Sequence, residues 1–180
     1  MQTSLKCKSG KRKSLEDIAR EAISTCTSFE EGLKKVFVSD CIGYGVITQK
    51  SFKKGDFLVE YKGELINYDE AAKRETVYDN QDSGSFMYYF QHGGKIMCID
   101  ANAMNSEGLG HLCKDEHKKP NAVMKKIVAA KVSLCLFALR DIDQGVEIRY
   151  DYGPDIGSKM FWRYSNNNDQ DDSRLPQWVL

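Results

Sequence analysis

The sequence lacks a long apolar run, a signal-peptide pattern and an excess of charge of either sign. No stretch is long enough to cross a bilayer, so we expect an intracellular, soluble protein with no membrane partner. Lysine and arginine together number 26, and so do aspartate and glutamate. This balance gives no global electrostatic reason to bind nucleic acid.

The cysteines lack the close spacing of metal ligands and of a disulfide framework. No CxxC pair occurs, and the six cysteines are scattered along the chain: Cys7, Cys26, Cys41, Cys98, Cys113 and Cys135. We therefore expect reduced thiols and no metal site.

The chain has the length of one domain with flanking segments. With 180 residues, 41% of them hydrophobic, it can bury a core of its own. We divide it into a basic arm (1–13), a helical flank (14–35), a main domain (36–153), an aromatic segment (154–164) and a polar tail (165–180). The basic run KCKSGKRKS at 6–14 is either a solvated arm or a tail for nuclear import or nucleic-acid contact.

Local signals predict a mainly β fold of the α+β class with short helices. Ser14 with Asp17, and Ser28 with Glu31, have the spacing of helix starts. A third helix is predicted at NYDEAAKRE, and glycines in HGG (92–94) predict a hairpin turn. Short runs rich in Val, Ile, Phe and Tyr predict strands: VFVS, GVIT, DFLVEY, FMYYFQ, KIMCID, VSLCLFAL and VEIRYDY.

One predicted strand ends with two tyrosines on the same face. In EIRYDYG (147–153), Ile148, Tyr150 and Tyr152 alternate with charged residues and are followed by Gly153. These tyrosines are either ordinary strand aromatics with satisfied hydroxyls or polar groups lining a ligand channel.

Six sequence blocks occur in an order that resembles the SET domain of protein lysine methyltransferases. They are GYGV (43–46), FKKGDFLVEYKGELI (52–66), MYYF (87–90), CIDA (98–101), GLGHL (108–112) and YDYG (150–153). The resemblance covers about residues 36–162 and is nearest to the subgroup that monomethylates a lysine of the histone H4 tail. It implies several small sheets around a knot-like core, with the main domain at 36–153 as the SET domain.

The resemblance implies S-adenosylmethionine as cofactor and tyrosines as the catalytic groups. Tyr152 takes the position of the catalytic tyrosine, Tyr150 the position that limits the number of methyl groups, and Tyr61 that of a lysine-orienting tyrosine. These roles suit the chemistry, because the amine must lose its proton and its water and align with the methyl donor. Phenol hydroxyls can orient the amine, and aromatic faces tolerate a developing cation.

The cofactor positions depart from the family pattern. The loop Ile42, Gly43, Tyr44 and Gly45 keeps the glycines of a KGRG-like motif but loses its cations. Phe86 stands where the subgroup has tyrosine. Trp162, in the aromatic segment, is either a residue that stacks on the cofactor adenine or simple packing.

The largest departure falls on an Asn-His pair that contacts the cofactor in the family. If GLGHL sets the alignment, Lys114 and Asp115 replace the pair; if Pro120-Asn121 sets it, Asp115 and Glu116 do. Either exchange replaces an amide by a charge. The substitutes are either partial replacements or members of a solvated charged loop.

Two functions follow from these observations. One is an active lysine methyltransferase, possessing its channel tyrosines and acting on a lysine-bearing peptide, a histone tail or a nucleosome. The other is a catalytically impaired SET domain that binds peptides or histones or serves as a chromatin-associated module. For both we expect a monomer in the nucleus that contacts nucleic acid through the basic arm, if at all.

Overall fold

The computed structural model describes residues 13–24, 30–40, 42–80, 85–102, 108–129 and 131–153. Its first helix, α1, is Leu15–Ser24 and begins as the sequence predicts. The backbone N–H of Asp17 donates to Ser14 Oγ at 3.1 Å, and the N–H of Ser14 donates back to Asp17 Oδ2 at 3.3 Å. This reciprocal cap satisfies backbone donors that the helix itself leaves open. Ala19 and Ile23 pack α1 onto buried residues of the central sheet.

Short strands are the commonest regular structure in the described chain, which confirms the mainly β prediction. The strands are β1 (Leu33–Ser39), β2 (Gly43–Thr48), β3 (Phe57–Tyr61), β4 (Glu64–Asn67), β5 (Met87–His92), β6 (Lys95–Asp100), β7 (Lys114–Asp115), β8 (Ala122–Val128), β9 (Val132–Ala138) and β10 (Arg149–Tyr150). A second helix, α2 (Tyr68–Asn80), and a 3-10 helix (Gly110–Leu112) interrupt them. None of the helices in these ranges is long and apolar enough to cross a membrane.

The described strands form three small sheets. Their orders are β1-β2, β4-β6-β5 and β3-β9-β8-β10-β7. The short β10 lies between β7 and β8, runs parallel to both, and follows both in the chain. This insertion of the last strand between two earlier segments agrees with the knot-like core that the resemblance implied.

Two further local signals are confirmed. Asn67 Oδ1 accepts the N–H of Glu70 at 2.9 Å and starts α2, which runs on to Asn80. Gly93 and Gly94 both have positive φ, 58° and 74°, at the turn that joins β5 to β6. A two-residue hairpin turn with positive φ favours glycine, because glycine has no Cβ to clash.

The helical flank was predicted too long. β1 begins at Leu33, inside the segment 14–35, and Glu31 lies in a turn instead of a helix. Gly32, with φ 90°, turns the chain directly into β1. Ser28, the predicted cap, lies outside the described residues. The segment instead pairs antiparallel with β2, a contact between strands that the capping signal did not reveal.

Candidate active site

Four tyrosines from two sheets meet at the centre of the molecule. Tyr61 ends β3, Tyr88 lies on β5, Tyr150 lies on β10, and Tyr152 follows it. Their ring centroids form a chain, with 5.8 Å from Tyr61 to Tyr88, 6.2 Å from Tyr88 to Tyr150 and 4.6 Å from Tyr150 to Tyr152. We call these residues the tyrosine cluster. The cluster brings together the three tyrosines that the sequence singled out.

The hydroxyl of Tyr152 has a fixed orientation. It donates a hydrogen bond of 2.7 Å to the carbonyl oxygen of Cys113, the residue after the 3-10 helix. Because a phenol has one proton to donate, this bond leaves the lone pairs of the Tyr152 oxygen as acceptors. The arrangement suits the binding of a donor such as an amine.

The deeper hydroxyls stay protonated. Burial raises the pKa of Tyr61 and of Tyr150 well above the ordinary value, and nearby Tyr152 adds to both shifts. Tyr150 is 1% exposed and Tyr61 is 4% exposed. The cluster is therefore a neutral, largely dry environment, which disfavours a charged amine and favours its neutral form.

Backbone contacts to Asn121 and Asp115 hold the short β10 in place. The Asn121 side chain donates to the Glu147 carbonyl at 2.7 Å and accepts the N–H of Arg149 at 2.8 Å. Asp115 Oδ1 accepts the N–H of Tyr152 at 3.0 Å. These bonds fix the strand that carries Tyr150 and Tyr152, so Asp115 supports the tyrosines through the backbone.

The structure separates the two candidate alignments of the charged loop. Lys114 pairs with Arg149 and Asp115 with Tyr150, so both lie beside the tyrosine strand. The carboxylate of Glu116 instead accepts the N–H groups of Lys118 at 3.0 Å and Lys119 at 3.2 Å, in an exposed turn. These backbone bonds lower the pKa of Glu116. Of the two alignments, the one anchored on GLGHL is the one whose residues, Lys114 and Asp115, both pair with the tyrosine strand.

The glycine loop lies at the start of β2. Gly43 has φ 74° and no neighbouring atom where a Cβ would point, whereas a Cβ on Gly45 would come within 2.7 Å of Glu147 Oε1. Ile42 and Tyr44 are exposed, at 49% and 45%. The ammonium of Lys35 on β1 lies 4.0 Å from the centre of the Tyr44 ring. The neighbouring strand thus places a cation on the ring of a glycine-loop residue.

Phe86 packs against the buried core that contains the tyrosine cluster. Its ring packs edge to face on His111 at 5.0 Å, and its backbone carbonyl accepts the N–H of Ala101 at 2.9 Å. Burial lowers the pKa of His111, and the positive charges of Lys35 and Lys114 lower it further. The imidazole is therefore neutral at neutral pH.

A charged cluster adjoins Gly45, formed by Lys114, Glu147 and Arg149. Arg149 donates to Glu147 Oε2 at 2.8 Å through Nε and at 2.6 Å through NH2. The other oxygen, Glu147 Oε1, is buried and has no hydrogen-bond donor among the described residues. Burial lowers the pKa of Lys114, and the charge of Glu147 opposes that shift. The cluster thus holds an unsatisfied carboxylate oxygen and a partly buried cation side by side.

Sequence reasoning missed three residues of this site: Tyr88, His111 and Glu147. Tyr88 was part of the quoted block MYYF, and the alternation of β5 could have placed it on the inner face with Phe90. Glu147 had no comparable local signal. Trp162 and the segment 154–164 lie outside the described residues. Within the described ranges, no group of three or more His, Cys, Asp or Glu residues could hold a metal ion.

Comparisons with known proteins agree with this geometry. The family model described as "SET domain" matches residues 43–153. The chain is 37% identical over 145 residues to histone-lysine N-methyltransferase set-1 of Caenorhabditis elegans, covering 78% of this chain and 60% of that protein. It is 39% identical over 127 residues to N-lysine methyltransferase KMT5A-A of Danio rerio, covering 69% of this chain and 36% of that protein.

A solved structure shows the same fold. The crystal structure of CpSET8 from Cryptosporidium superposes with a TM-score of 0.62 at 33% identity, covering 68% of this chain and 57% of that one. This chain therefore spans only part of the length of the relatives that it matches. The family match includes β2, the 3-10 helix and β10, which carry the glycine loop, the charged loop and the tyrosine strand. The chain belongs to the SET-domain family.

Proposed function

We propose that this protein is an S-adenosylmethionine-dependent protein lysine N-methyltransferase that acts on a histone tail. The observation that carries the proposal is the tyrosine cluster with its oriented Tyr152 hydroxyl. Support for the substrate comes from the relatives, whose names are histone-lysine and N-lysine methyltransferases. We extend the proposal to monomethylation of histone H4 and to a nuclear protein, as the subgroup resemblance implies.

The tyrosine cluster would prepare the substrate amine. Its buried aromatic faces exclude water and so favour the neutral, nucleophilic form of a lysine amine. The hydroxyl of Tyr152 donates a hydrogen bond to the Cys113 carbonyl oxygen. The oxygen of that hydroxyl accepts a hydrogen bond from the amine and aligns it. Tyr61 and Tyr150 narrow the channel, and their faces stabilise the cation that forms on the nitrogen.

The residues beside the tyrosine cluster fit the cofactor. S-adenosylmethionine supplies the methyl group on a sulfonium, and it carries an ammonium and a carboxylate as well. The buried Glu147 Oε1, which has no donor in the described part of the chain, matches a cationic ligand. Gly43 and Gly45 allow the backbone of the loop to approach such a ligand closely. Tyr44, Ile42 and Phe86 would supply apolar contact.

A methyl-transfer assay tests the proposal. The protein is incubated with methyl-labelled S-adenosylmethionine and with free histone H4, the other core histones or nucleosomes, and mass spectrometry locates the product. We expect label on one lysine of H4. Tyr68→Phe is the matched control for variants of the cluster, because it removes an exposed hydroxyl of α2. Absence of label on every histone substrate would reject the histone-methylating function.

A second function is favoured by one observation, the charges at the Asn-His position. Lys114 and Asp115 stand beside β10, and in the alignment anchored on GLGHL they replace the family's amide and imidazole. The chain would then be a peptide-binding or chromatin-associated module with impaired catalysis. Titration with an H4 tail peptide in the absence of cofactor distinguishes the two functions. Peptide binding without cofactor binding or methyl transfer would establish the module.

A further inference from the structure

We infer that Lys114 and Glu147 together bind the amino-acid end of the cofactor, with Lys114 on its carboxylate and Glu147 Oε1 on its ammonium. The inference rests on the proposed function and names the groups that replace the family's lost contacts. It assigns these two residues to a zwitterionic ligand group, an α-ammonium next to an α-carboxylate.

Strand pairing places the two side chains on one face. Lys114 lies opposite Arg149 in the parallel pair of β7 and β10, so their side chains point the same way. Glu147 precedes Arg149 by two residues, and the ion pair of 2.6 Å between them confirms the shared face. Glu147 also bridges to Ile47 on β2, which brings its carboxylate over Gly45. The face therefore adjoins the glycine loop.

Each of the two groups has an interaction still to make. Arg149 occupies Glu147 Oε2 only, and Oε1 is buried without a donor in the described ranges. Lys114 is half-buried and forms no ion pair with any described residue, although the Glu147 charge acts on it. A buried carboxylate oxygen and a partly desolvated ammonium both gain from a charged partner.

A zwitterion satisfies both groups at once. An anion alone would leave Glu147 Oε1 unsatisfied, and a cation alone would leave Lys114 unpaired. An α-amino acid carries both charges on groups bonded to one carbon atom, and the amino-acid end of S-adenosylmethionine is such a group. Gly45 keeps the space between the loop and Glu147 open, because a side chain there would contact Oε1.

Calorimetric titration with three nucleosides tests the assignment without relying on activity. S-adenosylmethionine and decarboxylated S-adenosylmethionine share the ammonium and the sulfonium and differ in the carboxylate. 5′-Methylthioadenosine lacks both charges of the amino-acid end and the sulfonium charge as well. For the parent we expect affinity to fall along this series. Equal affinity for all three ligands would overturn the inference, because the amino-acid end would then contribute nothing.

Two variants assign each charge to its residue. Lys114→Met should weaken binding of S-adenosylmethionine about 10- to 100-fold but leave the decarboxylated ligand unaffected, since a charge-assisted bond is lost only where a carboxylate exists. Glu147→Gln should weaken binding of both ammonium-bearing ligands and leave 5′-methylthioadenosine unaffected. Lys118→Met, an exposed lysine of the same loop, is the matched control.

Fold and function are monitored separately. Lys114→Arg retains the cation and should recover most of the affinity that Lys114→Met loses; a purely structural role of the side chain would instead predict that the apolar chain of Lys114→Met suffices. If Lys114→Met and Glu147→Gln melt differently from the parent but keep its ligand preferences, the two residues pair with each other and the inference is wrong. If the parent transfers methyl groups and Lys114→Met and Glu147→Gln bind the three nucleosides as the parent does, only the inference is overturned. A parent that binds none of the three nucleosides overturns the proposed function as well.

Discussion

The tyrosine cluster and the charged cluster adjoin each other but are built in opposite ways. The tyrosine cluster joins two sheets through ring packing, and its deepest members are almost fully buried. The charged cluster lies on the opposite face of β10 and contains groups whose charges are incompletely paired. Packing alone holds the tyrosine cluster in position, whereas the charged cluster can still bind a charged ligand.

Because of this contrast, we expect the tyrosine cluster to determine the rate of methyl transfer and the charged cluster to determine the affinity for the cofactor. A substitution in the tyrosine cluster should change what happens to a bound amine, because the ring positions are fixed by the core. A substitution in the charged cluster should change how tightly the cofactor is held. Substitutions on the two faces of one short strand therefore have distinct kinetic consequences, and the following predictions test that separation.

The largest effect is expected for Tyr152→Phe. The rate of methyl transfer should fall on the order of 100-fold or more, because the oxygen that aligns the amine is gone. The dissociation constant for S-adenosylmethionine should stay unchanged. The Cys113 carbonyl loses its donor, which costs about 1 kcal/mol of the free energy of unfolding.

Single-turnover kinetics, calorimetry and urea unfolding measure these three quantities, the rate of methyl transfer, the dissociation constant and the free energy of unfolding. A variant with most of the parental rate would exclude the catalytic role.

A smaller effect, on affinity, is expected for Gly45→Ala. The new methyl group would lie 2.7 Å from Glu147 Oε1 and displace that carboxylate. We expect cofactor binding to weaken about tenfold, and the free energy of unfolding to fall by about 1–3 kcal/mol from overpacking. Glu147→Asp in the same chain shortens the carboxylate and should recover part of both losses, as a double-mutant cycle would show. Additive losses in that cycle would mean that Gly45 and Glu147 do not interact.

The sequence predicted the features that depend on neighbouring residues. The caps at Ser14 and Asn67 and the hairpin at Gly93 follow from side-chain and backbone preferences within a few positions. β8 was missed because Lys125 and Lys126 interrupt its apolar run. Its pairing with β9 nevertheless buries Met124 and Ile127, and this tertiary packing outweighs the local pattern.

The site was predictable only in part, for a related reason. Tyr61, Tyr150 and Tyr152 were found from strand alternation and the family resemblance. The position of Lys114 and Asp115 beside the tyrosines depends on the parallel pairing of β7 with β10, which no local signal encodes. The position of Glu147 Oε1, which has no donor among the described residues, depends on contacts of Glu147 with Gly45, Arg149 and Asn121. Such contacts become visible only when the chain is folded.

A change of product, with little change of rate, is expected for Tyr150→Phe. The residue is fully packed between Tyr88 and Tyr152, so the ring should keep its position. Losing the hydroxyl frees space and removes a polar group that can hold water, so monomethyl product should shift towards dimethyl. Mass spectrometry of the modified H4 peptide measures the ratio. Monomethyl product alone, from an active variant, would contradict the role that the resemblance assigns to Tyr150.

The smallest effect concerns His111, which contacts Phe86 and is influenced by the charge of Lys114. Burial lowers its pKa below the ordinary value of 6.5, and the charges of Lys35 and Lys114 add to that shift. As pH falls through 6.5, the unfolded chain takes up the proton before the folded one, so the free energy of unfolding decreases. The decrease ends once pH passes below the lowered pKa in the folded state. His111→Gln removes this titration and leaves the rest of the chain unchanged. Urea unfolding of both proteins from neutral pH to about pH 5 should therefore show a steeper loss of stability in the parent. Parallel curves would mean that His111 accepts a proton as readily in the folded protein as in the unfolded one, and that its imidazole is solvated instead of buried.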